Sequence, residues 1–310
     1  METIAPQAST PRPAAQPPGQ AVARRTRRST LALQLPAVLL LLVWSILPLL
    51  KTLQYSVERY SLLDPDGRGF TGIDNYRFLL TDPGLAEAIG NTVLLVGWVL
   101  VITVGLGTLL AVLFDQDFWG RGVARVLAIA PFFVMPTVSA LVWKNLLLHP
   151  VNGVFAWLAR ALGLQPVDWF GDWPLTAIIL MVAWQWLPFA TLILLTSVQS
   201  LDPERKEAAR MDGAGPIAMF VHIIVPHLRR AIGVVIMIET LFLLSIFAEI
   251  YVTTSGGPGM ASTNLAFLIY RYALLEYDVG GASAGGVIAI VLANVVAIFL
   301  MRSVARSIET

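Results

Sequence analysis

The chain has no cysteine in its 310 residues, which excludes disulfides and thiolate metal sites. Charge is also scarce. Asp, Glu, Lys and Arg make up 13% of the residues, against about 25% in soluble domains. The net charge of +1 leaves no electrostatic footprint for nucleic acid. The histidines are His149, His222 and His227, all in loops or at membrane edges. That is too thin a supply for a metal ligand set. No Gly-Lys-Ser/Thr occurs, so the chain carries no phosphate loop for ATP. It also lacks a His-Glu-x-x-His pair and any histidine inside a span, which disfavours a membrane enzyme. What is abundant is apolar surface: 56% of residues are hydrophobic and the mean hydropathy is +0.72. Those values belong to an integral membrane protein.

Residues 1–29 are rich in Pro, Ala and Gln and end in four arginines, Arg24, Arg25, Arg27 and Arg28. They have no apolar period and are expected to form a disordered tail, followed by a membrane domain over 30–310. Six spans are predicted, at about 31–50, 89–113, 123–147, 175–199, 229–254 and 282–301. The first is long enough to cross a bilayer and has no small-residue cleavage site after it, so it reads as an uncleaved span. The fold class expected is therefore all-α, a multi-pass membrane protein of six helices. Backbone outside the spans must lie in loops.

Orientation follows from the cations. With the N-terminus inside, the cytoplasmic side collects Arg12, the four tail arginines, Arg121, Arg125, Arg205, Lys206, Arg210, Arg229, Arg230, Arg302 and Arg306. The outer side holds only Lys51, Arg59, Arg68, Arg77, Arg160 and Arg271. The excess places both termini in the cytoplasm. Lys144 lies near the outer end of the third span and is expected to snorkel. Trp157, Trp169 and Trp173 suit an interfacial belt.

The longest inner loop, about 200–228, is unusually regular. Asp202 can cap a helix that starts at Pro203, and Glu204 and Glu207 complement its dipole. Ala208 and Ala209 favour helix and let a partner surface come close. Gly213 follows Asp212 and permits a left-handed turn. A second short helix, Pro216–Ile224, is expected to end at Pro226. Two short helices joined by a glycine turn can transmit a rigid push; the plain alternative is an amphipathic interfacial helix.

This loop resembles the coupling loop of ATP-binding-cassette importer permeases. The family pattern is met by Glu207, Ala208, Ala209, Asp212, Gly213, Ala214, Phe220, Ile223 and Pro226, with Val225 in place of the usual Leu and Arg230 where many members carry a second Pro. Phe70-Thr71-Gly72-Ile73-Asp74-Asn75-Tyr76, Asn91-Thr92 and Ser255-Gly256-Gly257-Pro258 look like the binding-protein-dependent carbohydrate, maltose-permease-like members. Tyr277-Asp278-Val279-Gly280-Gly281-Ala282-Ser283-Ala284-Gly285-Gly286 is similar to the sorbitol/mannitol polyol branch. The resemblance implies a type I importer permease fold in a bacterial inner membrane. It implies as partners a second homologous permease, a pair of ATPase subunits and an extracytoplasmic solute-binding protein. ATP and Mg would be bound by the ATPase subunits, with no cofactor and no metal in this chain. It also implies that Glu207, Ala208, Ala209, Asp212, Gly213, Ala214 and Pro226 couple to the ATPase.

Polar groups inside spans are costly and tend to face a cavity or a partner. Here they are Gln185, Glu239, Ser245, Glu249 and Asn294. Trp184, Trp186 and Phe189 could pack on the C–H faces of a sugar beside Gln185, and Pro188 would kink the fourth span there. In maltose-permease-like members the sugar contacts flank the coupling loop. Carried over by alignment, Gln185, Trp186 and Phe189 fall at contact-like positions before it, and Glu239, Leu243 and Ile246 after it. The plainer readings are also open. The aromatics could face lipid, Glu249 could pair with Lys144 or stand in water, and Asn294 could hydrogen-bond a neighbouring helix. Gly105-Leu106-Gly107 and Gly281–Gly285 read as close-packing runs. The alternative function is an ion-coupled carrier with Glu239 as its ion site, although six spans without an internal repeat are few for one.

Overall fold

The computed structural model describes residues 19–309, with side chains from 34 to 303. The first eighteen residues of the expected tail lie outside the described residues. The expected boundary at 29 falls inside helix α1 (Gly19–Ser56), whose membrane-length part is Gln34–Ser56. By contacts the chain divides into residues 1–51 and 52–310; the packing described below is all within 52–310.

Past α1, two-residue strands β1 (Glu58–Arg59) and β2 (Gly69–Phe70) pair antiparallel. Helix α2 (Asp74–Thr81) leads into α3 (Pro83–Asp115), a span of 33 residues. Next come α4 (Arg121–Ile129), a tight turn over Ala130–Phe133, and α5 (Pro136–Val142). Short helices α6 (Val154–Ala161) and α7 (Trp169–Asp172) precede α8 (Pro174–Gln199). The loop after α8 holds α9 (Pro203–Met211) and α10 (Pro216–Met219), and α11 is Val225–Leu243. Then follow α12 (Ala248–Thr253), α13 (Leu265–Tyr270) and the final span α14 (Val279–Glu309). Among the described residues five helices are long and apolar enough to cross a membrane, six if the bent pair formed by α4 and α5 is one span.

Two expected spans differ from the prediction. The run 123–147 is not one straight helix: its halves meet at 105°. Pro131 and Pro136 flank the bend, and each removes a backbone donor from the helix ladder. The run 229–254 is also broken, between Leu243 and Ala248. By contrast, α8 runs on through Pro188.

The core forms where α3 and α8 pack along each other. Gly107 allows this: a Cβ there would come within 3.1 Å of the Ala190 Cβ. Leu95, Val99, Ile178, Met181, Leu243 and Phe267 are buried in the middle, and Phe114, Leu194, Val198 and Leu228 towards the loop after α8. Side chains such as Trp98, Leu109, Val126 and Phe299 are exposed, as lipid-facing positions are. The Gly281–Gly285 run also spells Gly-x-Ser-x-Gly, but it lies within the opening turns of α14 instead of the strand-to-helix turn that a nucleophile requires. Gly285 serves packing, with a built Cβ 3.3 Å from Ile269.

The end of the molecule opposite the 200–228 loop is pinned by polar contacts. Asn75 Nδ2 donates to the Ser56 and Glu58 carbonyls. Asn91 Nδ2 donates to those of Met260 and Thr263, both at 3.0 Å. The Leu265 N–H donates to Thr92 Oγ1 at 2.9 Å. Arg68 pairs with Glu58 and lies over the rings of Tyr55 and Tyr60. Gly280 is required, since a Cβ there would come within 2.5 Å of the Glu58 carbonyl oxygen.

Candidate functional site

Two sites emerge, one at each end of α11. The first is the 200–228 loop. Asp202 caps α9 by accepting from the Glu204 N–H at 3.0 Å, as its sequence predicts. Gly213 adopts φ +83°, a conformation that glycine takes without steric cost. The Ala214 N–H closes the turn on the Ala209 carbonyl at 2.9 Å. The second short helix differs from expectation. It does not end at Pro226: α10 passes through a wide π-turn, Phe220–Ile224, straight into α11, so Pro216–Leu243 is one apolar stretch. Pro226 is accommodated because it follows directly on the π-turn, whose wider turn already shifts the ladder of backbone hydrogen bonds there.

Glu207, Ala208, Asp212 and Gly213 are exposed, with Ala209 and Ala214 half-buried. Ala208, Ala209, Asp212 and Pro226 border a groove of about 540 Å³ together with Arg205, His222 and His227. The loop is anchored to the spans. Lys206 Nζ pairs with Asp115 Oδ2 at the end of α3, at 2.7 Å, and His227 Nε2 reaches the Ser197 carbonyl at 3.0 Å. Met211 is 87% and Ile217 81% exposed. Two bare apolar side chains on a polar loop suit a docking face. Sequence reasoning passed over Met211, Ile217 and the Lys206–Asp115 pair; the apolar residues flanking Gly213 were the available signal.

The second site is a cavity of about 580 Å³ at the two helix breaks. Phe132, Val134 and Pro136 come from the bend between α4 and α5. Ser245, Ile246, Phe247, Ala248 and Glu249 come from the break between α11 and α12. Gln185, Trp186 and Phe189 on α8 and Phe242 on α11 complete the wall. The rings form one cluster: Trp186 is 5.8 Å from Phe132 and 5.2 Å from Phe242, and Phe189 stacks on Phe132. Each break is held by an amide side chain. Gln185 Nε2 donates to the Val134 carbonyl at 2.8 Å, and Asn264 Nδ2 donates to the Ile246 carbonyl. Both carbonyls have lost their helical donors, and the amides satisfy them.

Of the pathway residues expected from sequence, Gln185, Trp186, Phe189, Ser245, Ile246 and Glu249 meet at this cavity. The others do not. Trp184 points elsewhere and packs edge-on against Trp143. Leu243 is fully buried in the core. Asn294 is exposed and bonds back to Ile290 on its own helix at 2.8 Å, not to a neighbouring helix. Glu239 is fully buried away from the cavity wall, accepting from Thr103 Oγ1 on α3 at 2.6 Å. Glu249 neither pairs with Lys144 nor stands at an exposed edge. It is 3% exposed, while Lys144 Nζ donates to the Val252 carbonyl at 3.1 Å. Phe132, Phe242, Phe247 and Asn264 were not foreseen, because broken spans were needed to bring them in.

Residues 103–310 match the protein family described as "Binding-protein-dependent transport system inner membrane component". The chain is 32% identical over 274 residues to the probable ABC transporter permease protein y4oQ of Sinorhizobium fredii, covering 86% of this chain and 88% of that one. It is 34% identical over 256 residues to the trehalose/maltose transport system permease protein MalF of Thermococcus litoralis, covering 80% and 84%. Among solved structures it is similar to a bacterial ABC transporter involved in the import of the acidic polysaccharide alginate. The TM-score there is 0.79 at 23% identity, covering 93% of this chain and 99% of that chain. At that identity the likeness concerns the fold alone.

Proposed function

The chain belongs to the binding-protein-dependent transport system inner membrane component family, and on that premise we propose that it is one of two membrane-spanning subunits of an ATP-driven importer of a sugar or sugar alcohol, of the sorbitol or mannitol kind. It is a permease subunit, as its relatives are, and not an enzyme. Residues 30–310 make the permease domain, with both termini on the cytoplasmic side of a bacterial inner membrane, a placement supported by the distribution of Lys and Arg. An extracytoplasmic binding protein delivers solute at the end pinned by Asn75 and Asn91. A pair of ATPase subunits, which hold ATP and Mg, docks on the 200–228 loop through Glu207, Ala208, Ala209, Asp212, Gly213, Ala214 and Pro226. The second permease completes the pathway. Movement of the loop opens and closes the cavity on alternate sides, in the manner of rigid-body alternating access.

The observation that carries this reading is the anchoring of α9 to the end of α3 by Lys206 and Asp115, which lets a push on the loop reach the spans. The aromatic cavity supports a carbohydrate or polyol, whose C–H faces pack on rings. The substrates named for the relatives run from trehalose and maltose to sn-glycerol 3-phosphate, so kinship alone leaves the polyol to be tested. The test is to purify the chain with its co-expressed genomic neighbours and measure uptake of labelled sorbitol and mannitol in vesicles. An ATPase and a second permease should stay bound. Gly213→Pro should abolish uptake while leaving the protein inserted, since proline cannot adopt the positive φ found there. Wild-type uptake by that variant would exclude the docking role, and uptake driven by a proton gradient without ATP would favour an ion-coupled carrier.

A further inference from the structure

We propose that Glu249 is the charge-selecting residue of the cavity: its carboxyl group takes hydroxyl hydrogens from a neutral polyhydroxy solute and turns away solutes that carry a negative charge. The inference rests on the importer reading above. Glu249 opens α12 directly after the break in the fifth span and is 3% exposed, yet it forms part of the cavity wall. No Lys, Arg or His lines that wall. The cation nearest to hand by topology, Lys144 on the turn after α5, is committed to the Val252 carbonyl, and among the described residues no ion pair joins it to Glu249.

The other polar groups on the wall also offer acceptors. The Val134 carbonyl can only accept, so the Gln185 amide must turn its Nε2 towards it. Gln185 Oε1 is left as a buried acceptor without a partner. Ser245 Oγ donates to the Phe242 carbonyl at 2.7 Å, which leaves its lone pairs free. A wall of acceptors and aromatic rings complements a solute rich in O–H and C–H. A phosphate, sulfonate or carboxylate would bring acceptors and a charge. Against an ionised Glu249 it is repelled at short range in a medium of low dielectric. Against a protonated one it still finds no cation to offset its desolvation.

The experiment uses the complete transporter in detergent, this chain with its second permease and ATPase subunits. It measures equilibrium binding of radiolabelled solutes in size-matched neutral and anionic pairs: sorbitol and gluconate, maltose and maltobionate. The neutral member should bind at least about tenfold more tightly, the scale of one hydrogen bond to a charged group. Glu249→Gln keeps the shape. It should weaken the neutral member by about tenfold and close the gap to the anionic one, and Glu249→Asp should restore the gap. Co-purification of the ATPase shows that each variant is folded, and the wild-type preference is a readout that needs no variant. Preference for maltose over sorbitol would remove the polyol from the proposed function and leave Glu249 its role. A gap unchanged in Glu249→Gln overturns the inference, as does a wild type that takes the anionic member equally well or no neutral member at all.

Discussion

Asp82 does two jobs at the N-terminal end of α3. Its Oδ1 accepts from the Gly84 N–H at 2.9 Å, capping the helix, and its Oδ2 accepts from the Tyr272 hydroxyl. The Tyr272 bond, more than the Gly84 bond or the charge of Arg271, holds the Asp82 carboxyl below the ordinary aspartate value of 3.8, while partial burial works the other way. Burial, and then the bond to Asp82, push the Tyr272 hydroxyl up. A carboxylate with a depressed pKa in the folded state stabilises the protein at all pH values above its unfolded pKa. That stability is lost as pH falls below 3.8 and through the lower folded value. Asp82→Asn keeps a capping oxygen but loses the charge of the acceptor that Tyr272 donates to, so it should cost about 1 kcal/mol at pH 7, seen as a lower melting temperature in detergent, and flatten the decline between pH 5 and pH 2. A variant that melts with the wild-type acid profile would show that other carboxylates set it. Sequence reading missed this pair because Asp82 and Tyr272 stand 190 residues apart, and one short-range pattern cannot join them.

At the scale of elements, the broken spans make the site, and they are what hydropathy reads least well. Averaged over a bilayer's length, 123–147 and 229–254 are simply apolar. In the first, Pro131 and Pro136 were visible signals that the averaging hid. In the second, the residues Leu243-Leu244-Ser245-Ile246-Phe247 contain no glycine or proline, so nothing local announces the break. It is held from afar: Asn264 Nδ2 satisfies the Ile246 carbonyl, while Asn264 Oδ1 caps α13 by accepting from the Phe267 N–H at 2.8 Å. In the 200–228 loop the cap at Asp202 and the glycine turn at Gly213 were legible because both are short-range devices, whereas the run of α10 into α11 and the Lys206–Asp115 pair were not. The cavity was legible in part: Gln185, Trp186, Phe189 and Glu249 were named, whereas Leu243 and Asn294 turn away. The two functions of Asn264 are separable. Asn264→Ser keeps a capping hydroxyl but cannot reach Ile246, and Asn264→Ala loses both contacts. Melting temperatures should fall in the order wild type, Ser, Ala, with steps of about 1 kcal/mol each. Equal losses for the two variants would mean that the Ile246 contact alone matters, and a wild-type melting temperature in Asn264→Ser would mean that the cap alone matters and that the break holds itself.

For the molecule as a whole, α3 is the element that meets everything that must move together. Near its N-terminal end Asn91 and Thr92 hold the loop over Met260–Leu265. Midway, Thr103 donates to the buried carboxyl of Glu239 on α11, and Gly107 lets α8 approach closely. At its C-terminal end Asp115 pairs with Lys206 on α9. A displacement of α9 thus has a charged contact into one continuous helix of 33 residues, and that helix touches both spans flanking the cavity. This gives Glu239 a place away from the cavity: it ties α11 to α3, the helix that Lys206 joins to the loop. The consequence is measurable in the assembled transporter. Lys206→Met keeps the length and apolar stem of the side chain and removes the charge. Both pair members are about one-fifth exposed, so the loss to stability should be small. The loss to coupling should be larger, roughly 0.5–2 kcal/mol as found at positions along coupled networks. ATP hydrolysis in proteoliposomes should continue while solute moved per ATP falls, and exchanging the charges, Lys206→Asp with Asp115→Lys, should recover part of the ratio. A wild-type ratio in Lys206→Met would mean that the loop drives the spans through α10 and the continuous helix into α11, and that the ion pair only trims its position.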